Sequence, residues 1–107
     1  MSEISEYDQR QLNLMLKNLT SFENKKIKLS SLVGSLEFLL SAMEYVEDKW
    51  EENFLDAITK LESVNAIEII KESEGDMPEM SEQKKKELIN EAVVSLRSMI
   101  EKEIFGE

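Results

Sequence analysis

The stretch that decides the fold is residues 30–71, which read SSLVGSLEFLLSAMEYVEDKWEENFLDAITKLESVNAIEIIK. Apolar residues at helical spacing lead into its middle from the N-terminal side: Leu32, Val33, Leu36, Leu39, Leu40 and Met43. A second set leaves on the C-terminal side: Trp50, Phe54, Ala57, Ile58, Leu61 and Val64. The spacing predicts two core helices. They are joined by residues 43–54, which we call the acidic hinge.

The acidic hinge concentrates negative charge. Six acidic groups fall between Glu44 and Asp56, against the single cation Lys49. Asp48 and Glu51 have the spacing of a capping box and suit the start of a helix, which accounts for two of the six. Like charges at this density repel one another, and a basic partner would relieve that repulsion and speed association.

Outside this stretch, the pattern predicts two further helices. Leu12, Met15, Leu16 and Leu19 predict a first helix over 7–18, capped by Ser5 or Asp8, with a short strand over 12–16 as the alternative. A polar connector over 20–26 follows, with Phe22 as an anchor onto the core. Ser81 is the predicted cap of a last helix over 82–104. Its core face is predicted to be Leu88, Ile89, Ala92, Val93, Leu96, Met99 and Ile100.

These elements predict an all-α, antiparallel four-helix bundle formed by a single domain, residues 1–107. The two central helices span 31–43, capped by Ser30 or Ser31, and 49–72. A break over 73–80 contains the only proline, Pro78. Gly34 lies inside the second helix, where glycine costs about 1 kcal/mol relative to alanine, so we expect a neighbouring helix to approach closely there.

The composition argues against catalysis. The 107 residues include neither cysteine nor histidine, which removes thiol chemistry and the commonest general base and metal ligand. Glu37, Glu44 and Glu62 are the carboxylates expected close to the edge of the core, but carboxylate metal centres in helical bundles usually include histidine, which this chain lacks. We predict a non-enzymatic protein with no catalytic residue, no metal and no cofactor.

The net charge of −10 lies in the middle of the chain, because residues 29–82 hold fourteen acidic and three basic residues. An acidic field repels nucleic acids and anionic membranes and attracts basic proteins. No apolar run is long enough to span a membrane, and residues 1–6 lack a basic segment followed by an apolar block. The sequence therefore predicts a cytoplasmic protein that binds neither nucleic acid nor membrane directly.

Three segments of the chain, LSSLVGSLEFLL (29–40), DKWEENF (48–54) and LESV (61–64), resemble a family of small acidic bacterial immunity proteins. These proteins share the skeleton L..L.G.LE.LL..LE.....W...F......LE and are encoded beside polymorphic or contact-dependent growth-inhibition toxins. The resemblance covers residues 22–72, and the final helix fits it loosely. It implies a cytoplasmic inhibitor that covers the basic active site of a toxin domain, in some cases a ribonuclease.

Charge and resemblance lead to the same prediction, a protein that neutralises a basic toxin nuclease by tight stoichiometric binding. The predicted contact residues are Glu44, Tyr45, Glu47, Asp48, Glu51, Glu52 and Asp56. Trp50 lies on the apolar stripe and is predicted to pack in the core, whereas Tyr45 lies off it. The alternative is a helical adaptor or regulatory protein acting through association with itself, as a homodimer, or with another protein.

Overall fold

The computed structural model describes residues 5–74 and 81–106, with side chains for 5–67 and 81–106. Four helices account for nearly all of them: α1 (Glu6–Glu23), α2 (Leu29–Ala42), α3 (Asp48–Glu74) and α4 (Glu82–Phe105). No strand occurs among these residues. The all-α prediction is therefore confirmed, and the alternative of a strand over residues 12–16 is wrong.

The helices form an elongated bundle of about 50 × 22 × 21 Å in which each helix packs against two others. α1 packs against α2 and α4, and α3 packs against the same two helices. The short connectors reverse the chain between α1 and α2 and between α2 and α3, so these neighbours run antiparallel. The apolar stripes meet in one core. Its fully buried residues include Leu12, Met15, Leu19, Leu32, Leu36, Phe54, Leu61, Leu96 and Ile100.

α1 is longer than predicted and ends at Glu23 instead of residue 18. The helix continues into the predicted polar connector because Leu19 is buried and Phe22, one turn later, packs against the core as the predicted anchor. Asn18, a weak helix former, is accommodated by a hydrogen bond from its amide group to the carbonyl of Leu14. Helical periodicity therefore extended further than the polar composition suggested.

The end of α1 is a Schellman motif. The N–H of Lys26 donates to the carbonyl of Ser21 (2.8 Å), and the N–H of Lys25 donates to the carbonyl of Phe22 (2.9 Å). Lys25 has a φ of 62°, the left-handed conformation that glycine normally supplies at this position. The chain therefore turns sharply into α2, and Lys25 adopts a backbone conformation that is strained for a residue with a Cβ atom.

The start of α2 differs from the prediction. The helix begins at Leu29, so its cap is Lys28, whose side chain makes no capping hydrogen bond, and neither Ser30 nor Ser31 caps it. The expectation for Gly34 is also wrong. A Cβ atom added there would meet nothing within 4 Å, because Gly34 lies on the outward side of the helix.

The other helix limits differ by one or two residues. α2 ends at Ala42, one residue early. α3 begins at Asp48, so Glu47 takes the cap position and its carbonyl accepts from the N–H of Glu51 (2.9 Å). Ser81 caps α4 as predicted, accepting from the N–H of Lys84 (3.1 Å). Residues 73 and 74 of the predicted break over 73–80 belong to α3, and the rest of the break lies outside the described residues.

Candidate interaction surface

The acidic hinge is fixed to α1 by a buried carboxylate. Asp8 is 2% exposed. Its Oδ1 accepts a hydrogen bond from the N–H of Glu44 (2.7 Å), and its Oδ2 accepts one from the N–H of Tyr45 (3.1 Å). The Ser5 Oγ accepts from the N–H of Asp8 (3.0 Å) at the N-cap of α1. Asp8 thus lies in the first turn, where the helix dipole favours an anion.

Sequence reasoning named Asp8 as the alternative to Ser5 for the cap of α1, and the cap is Ser5. The hydrogen bonds of Asp8 join residues 36 and 37 positions apart, so no local pattern marks them. Their effect is to hold the backbone at the beginning of the hinge. The side chains of Glu44 and Tyr45 remain exposed to solvent.

Trp50 attaches the C-terminal part of the acidic hinge to the core. It is partly buried against the core, and its ring stacks on that of Phe54, with centroids 5.3 Å apart. Its Nε1–H donates to the carbonyl of Met99 in α4 (3.3 Å). The core role predicted for Trp50 is therefore confirmed, and the hinge is tied to both α1 and α4.

Three of the predicted contact residues, Asp48, Glu51 and Glu52, line one shallow depression on the first turns of α3, together with Lys49 and Leu55. Glu51 is partly buried and the other two are exposed. Lys49 Nζ lies 3.6 Å from Glu52 Oε1, and both side chains are well exposed. A pair of this kind contributes little to stability and leaves the depression predominantly acidic.

The remaining predicted residues lie around this depression. Glu44, Tyr45 and Glu47 belong to the non-helical segment that precedes α3, and all three are exposed. Asp56 is exposed but does not line the depression. It lies one turn before Lys60, whose Nζ is 3.7 Å from Glu91 Oε1 on α4. It also lies one turn after Glu52, so Asp48, Glu52, Asp56 and Lys60 follow one side of α3.

A second acidic feature lies between α2 and α3. Glu37 and Glu62 meet there, and a hydrogen bond between the two side chains raises the pKa of Glu37, with smaller contributions from desolvation and from repulsion by Glu62. Glu44 does not join them. Among the described residues, no group of three or more acidic side chains has an arrangement that would hold a metal ion.

Sequence reasoning also missed Phe38, which is 71% exposed on α2. Its position off the apolar stripe was the available signal, because the core residues of α2 occupy the other side of the helix. The exposed residues one or two turns away along this side of α2 are small, Ser31, Gly34 and Ser41, and the exposed Glu37 lies beside Phe38. An aromatic ring displayed among small residues is the kind of group that protein interfaces use as an anchor.

Comparisons with known proteins supply no relative: no family model, curated protein or solved structure matches the chain. Among the described residues, no helix has the length and apolar character needed to cross a bilayer. The resemblance to immunity proteins accordingly stays a prediction.

Proposed function

We propose that this chain is an immunity protein, a non-enzymatic inhibitor that binds a basic toxin domain through the acidic hinge. The observation that supports this proposal most strongly is the hinge backbone, which is held by Asp8 while its acidic side chains point into solvent. A surface fixed before binding loses less conformational entropy when the partner arrives. The same surface has a charge that suits a basic partner.

The charges of the hinge have little internal compensation. Within the described residues, Lys49 with Glu52 is the one ion pair that involves the predicted contact residues. The Glu47 carbonyl accepts the first intrahelical bond of α3, from the N–H of Glu51, and its carboxylate is exposed to solvent. The repulsion among these carboxylates is relieved when cations of a partner approach. Binding should therefore become stronger as the salt concentration falls.

A toxin that cleaves RNA must present cations to phosphate groups, so an acidic protein surface is able to occupy that site by charge and by bulk. Tyr45, 71% exposed at the start of the hinge, is the aromatic residue best placed to be buried in such a contact. Aromatic anchors surrounded by charged residues are typical of strong protein interfaces. In this proposal the carboxylates steer association and Tyr45 supplies contact area.

The first test is co-purification with the product of the gene immediately upstream, or from a lysate of the source cell, at low and high salt. A basic nuclease-like partner held at nanomolar strength supports the proposal. Recovery of self-associated protein alone contradicts it.

Charge reversal then locates the surface. Glu47→Lys and Glu52→Lys should weaken binding and flatten its salt dependence without unfolding the protein. Glu87→Lys is a matched control, because it changes the net charge equally but lies toward the other end of α4. Met99, twelve residues after Glu87 on α4, lies at the end of the bundle that carries the acidic hinge, because its carbonyl accepts from the Nε1–H of Trp50. Equal affinities and salt slopes for all three variants would show that the partner binds elsewhere.

A helical adaptor is the second candidate, because α2 exposes the ring of Phe38 on its outward side. Phe38 and the small exposed residues Ser31, Gly34 and Ser41 form a surface suited to another helix. The mass of the purified protein in solution discriminates between the two proposals. A stable homodimer that Phe38→Ser converts to a monomer supports the adaptor, whereas a monomer that forms a complex only with its toxin supports the inhibitor.

A further inference from the structure

A cavity of about 430 Å³ lies at the end of the bundle where α1 turns into α2 and α4 begins. Its apolar wall consists of Phe22, Leu29, Val64 and Ile89, and Lys28 and Lys86 lie at its edge. Its volume falls within the range of small-molecule sites, about 300 to 1,000 Å³.

The apolar wall is contributed by all four helices. Val64 is buried in the wall, whereas Phe22, Leu29 and Ile89 pack against the core and keep part of their surface exposed. A second hollow of about 170 Å³ shares Phe22, Lys86 and Ile89 with the first, and so prolongs the apolar surface along α4. An elongated apolar group would cover both.

Among the described residues, the charged groups that line the cavity are mainly cationic. They are three lysines, Lys28, Lys85 and Lys86, and one acid, Glu82. Lys85 is already engaged, since it is 5% exposed and its Nζ lies 3.1 Å from Glu82 Oε2. Lys28 and Lys86 are exposed at the mouth and are the lysines able to meet a ligand.

The start of α2 adds donors to the same cavity. Leu29 and Ser30, its first two residues, line the wall, and the cap residue Lys28 offers no side-chain acceptor to the amides of the first turn. Those amides have no acceptor within the helix and carry the positive end of its dipole. Cationic side chains, amide donors and an apolar wall are therefore adjacent in one cavity.

We infer that this cavity binds a small amphipathic carboxylate. Its head group contacts Lys28, Lys86 and the first amides of α2, and its alkyl chain lies along Phe22, Leu29 and Ile89. This site is distinct from the acidic hinge and does not depend on the function proposed for it. The head group fits the cations and amide donors, and the chain fits the wall and its extension along α4. A free inorganic anion would leave that wall in contact with water.

The test is calorimetric titration of the full chain with decanoate, kept below its micellar concentration. Decanol has the same chain without the charge, and acetate has the charge without the chain. We expect one decanoate per chain and at least tenfold weaker binding of decanol and of acetate. Decanol binding as well as decanoate would overturn the inference, as would binding of several decanoate molecules with no saturable site.

Variants locate the head group. The double variant Lys28→Gln, Lys86→Gln should lose about tenfold in affinity for decanoate, the effect expected when charged donors are replaced by neutral ones. Lys26→Gln is the matched control, because Lys26 is exposed in the same connector but does not line the cavity. All three side chains are exposed, so folding should be unchanged by circular dichroism. Equal losses in the double variant and the control would refute the assignment.

Methyl NMR spectra locate the chain. Signals of Val64 and Ile89 should shift on addition of decanoate, whereas those of Val94, exposed on another side of α4, should not. Shifts spread over exposed methyl groups, Val94 included, would show nonspecific association and overturn the proposed site.

Discussion

Replacing Asp8 should destabilise the protein far more than replacing an ordinary acidic residue in a first helical turn. Asp8→Ala removes two hydrogen bonds to the hinge, made by Glu44 and Tyr45 at 2.7 and 3.1 Å. A hydrogen bond to a charged group contributes about 1.5 to 3 kcal/mol. The two bonds share one carboxylate, so their contributions do not simply add.

Two effects reduce the loss. The buried carboxylate of Asp8 is desolvated in the folded protein, and its removal recovers that cost. The hinge lies at the surface, so water is able to reach the amides that lose their acceptor. We therefore expect Asp8→Ala to lower the free energy of unfolding by about 2 to 4 kcal/mol, and Asp8→Asn, which keeps one acceptor, by about 1.5 to 3 kcal/mol.

The assay is urea unfolding, followed by circular dichroism and by the fluorescence of the single tryptophan, Trp50. Glu6→Ala is the control, since Glu6 is also acidic and in the first turn of α1 but is exposed. It should cost only the helix-dipole contribution of about 0.3 to 1 kcal/mol. Hydrogen exchange of the Glu44 and Tyr45 amides should also accelerate in Asp8→Asn. Equal costs for Asp8→Ala and Glu6→Ala would refute the reasoning.

Three further predictions concern single side chains. Phe54→Ala should cost about 3 to 5 kcal/mol in urea unfolding and Phe38→Ala less than about 0.5, because Phe54 is fully buried and Phe38 is 71% exposed; similar costs would contradict the packing. Lys25→Gly should stabilise by about 0.5 to 1 kcal/mol by relieving the left-handed φ of 62°, while Lys26→Gly should not. Glu62→Gln should stabilise the protein at pH 7, and the gain should shrink as the pH falls through the raised pKa of Glu37 toward its ordinary value of 4.5. A gain that persists at low pH would contradict the repulsion.

The sign of the last prediction follows from proton linkage. The pKa of Glu37 is raised in the folded state, so the folded protein binds its proton more readily than the unfolded chain does. Stability therefore falls as the pH rises through the interval between the unfolded and folded pKa values. Above that interval both carboxyls are charged and repel each other, and removing the charge of Glu62 relieves the repulsion.

Much of the bundle was predictable because helical periodicity is local. The core residues of α2 and α3 and the capping role of Ser81 all follow from residues within one or two turns of each other. The errors arose where distant packing or backbone geometry decided the outcome. α1 extends to Glu23 because Phe22 packs against the core. α2 begins at Leu29, two residues earlier than predicted, because the left-handed conformation of Lys25 reverses the chain directly after α1.

The candidate surface was only partly predictable. Composition marked the acidic hinge, and the structure places Asp48, Glu51 and Glu52 in one depression. Asp56 does not line that depression, although it lies one turn after Glu52 on the same helix. The exposure of Phe38 depends on how α2 packs, because among the described helices α2 contacts α1 and α3 with its other side.

By itself, the sequence determined that the chain is helical, which side chains enter the core and where its negative charge is concentrated. These properties depend on residue type and on spacings of three or four positions. The tertiary structure alone decided the hydrogen bonds of Asp8 to the acidic hinge, the contact of Glu37 with Glu62 and the cavity beside Lys28. Each of these brings together residues that are far apart along the chain, and their separation carries no periodic signal.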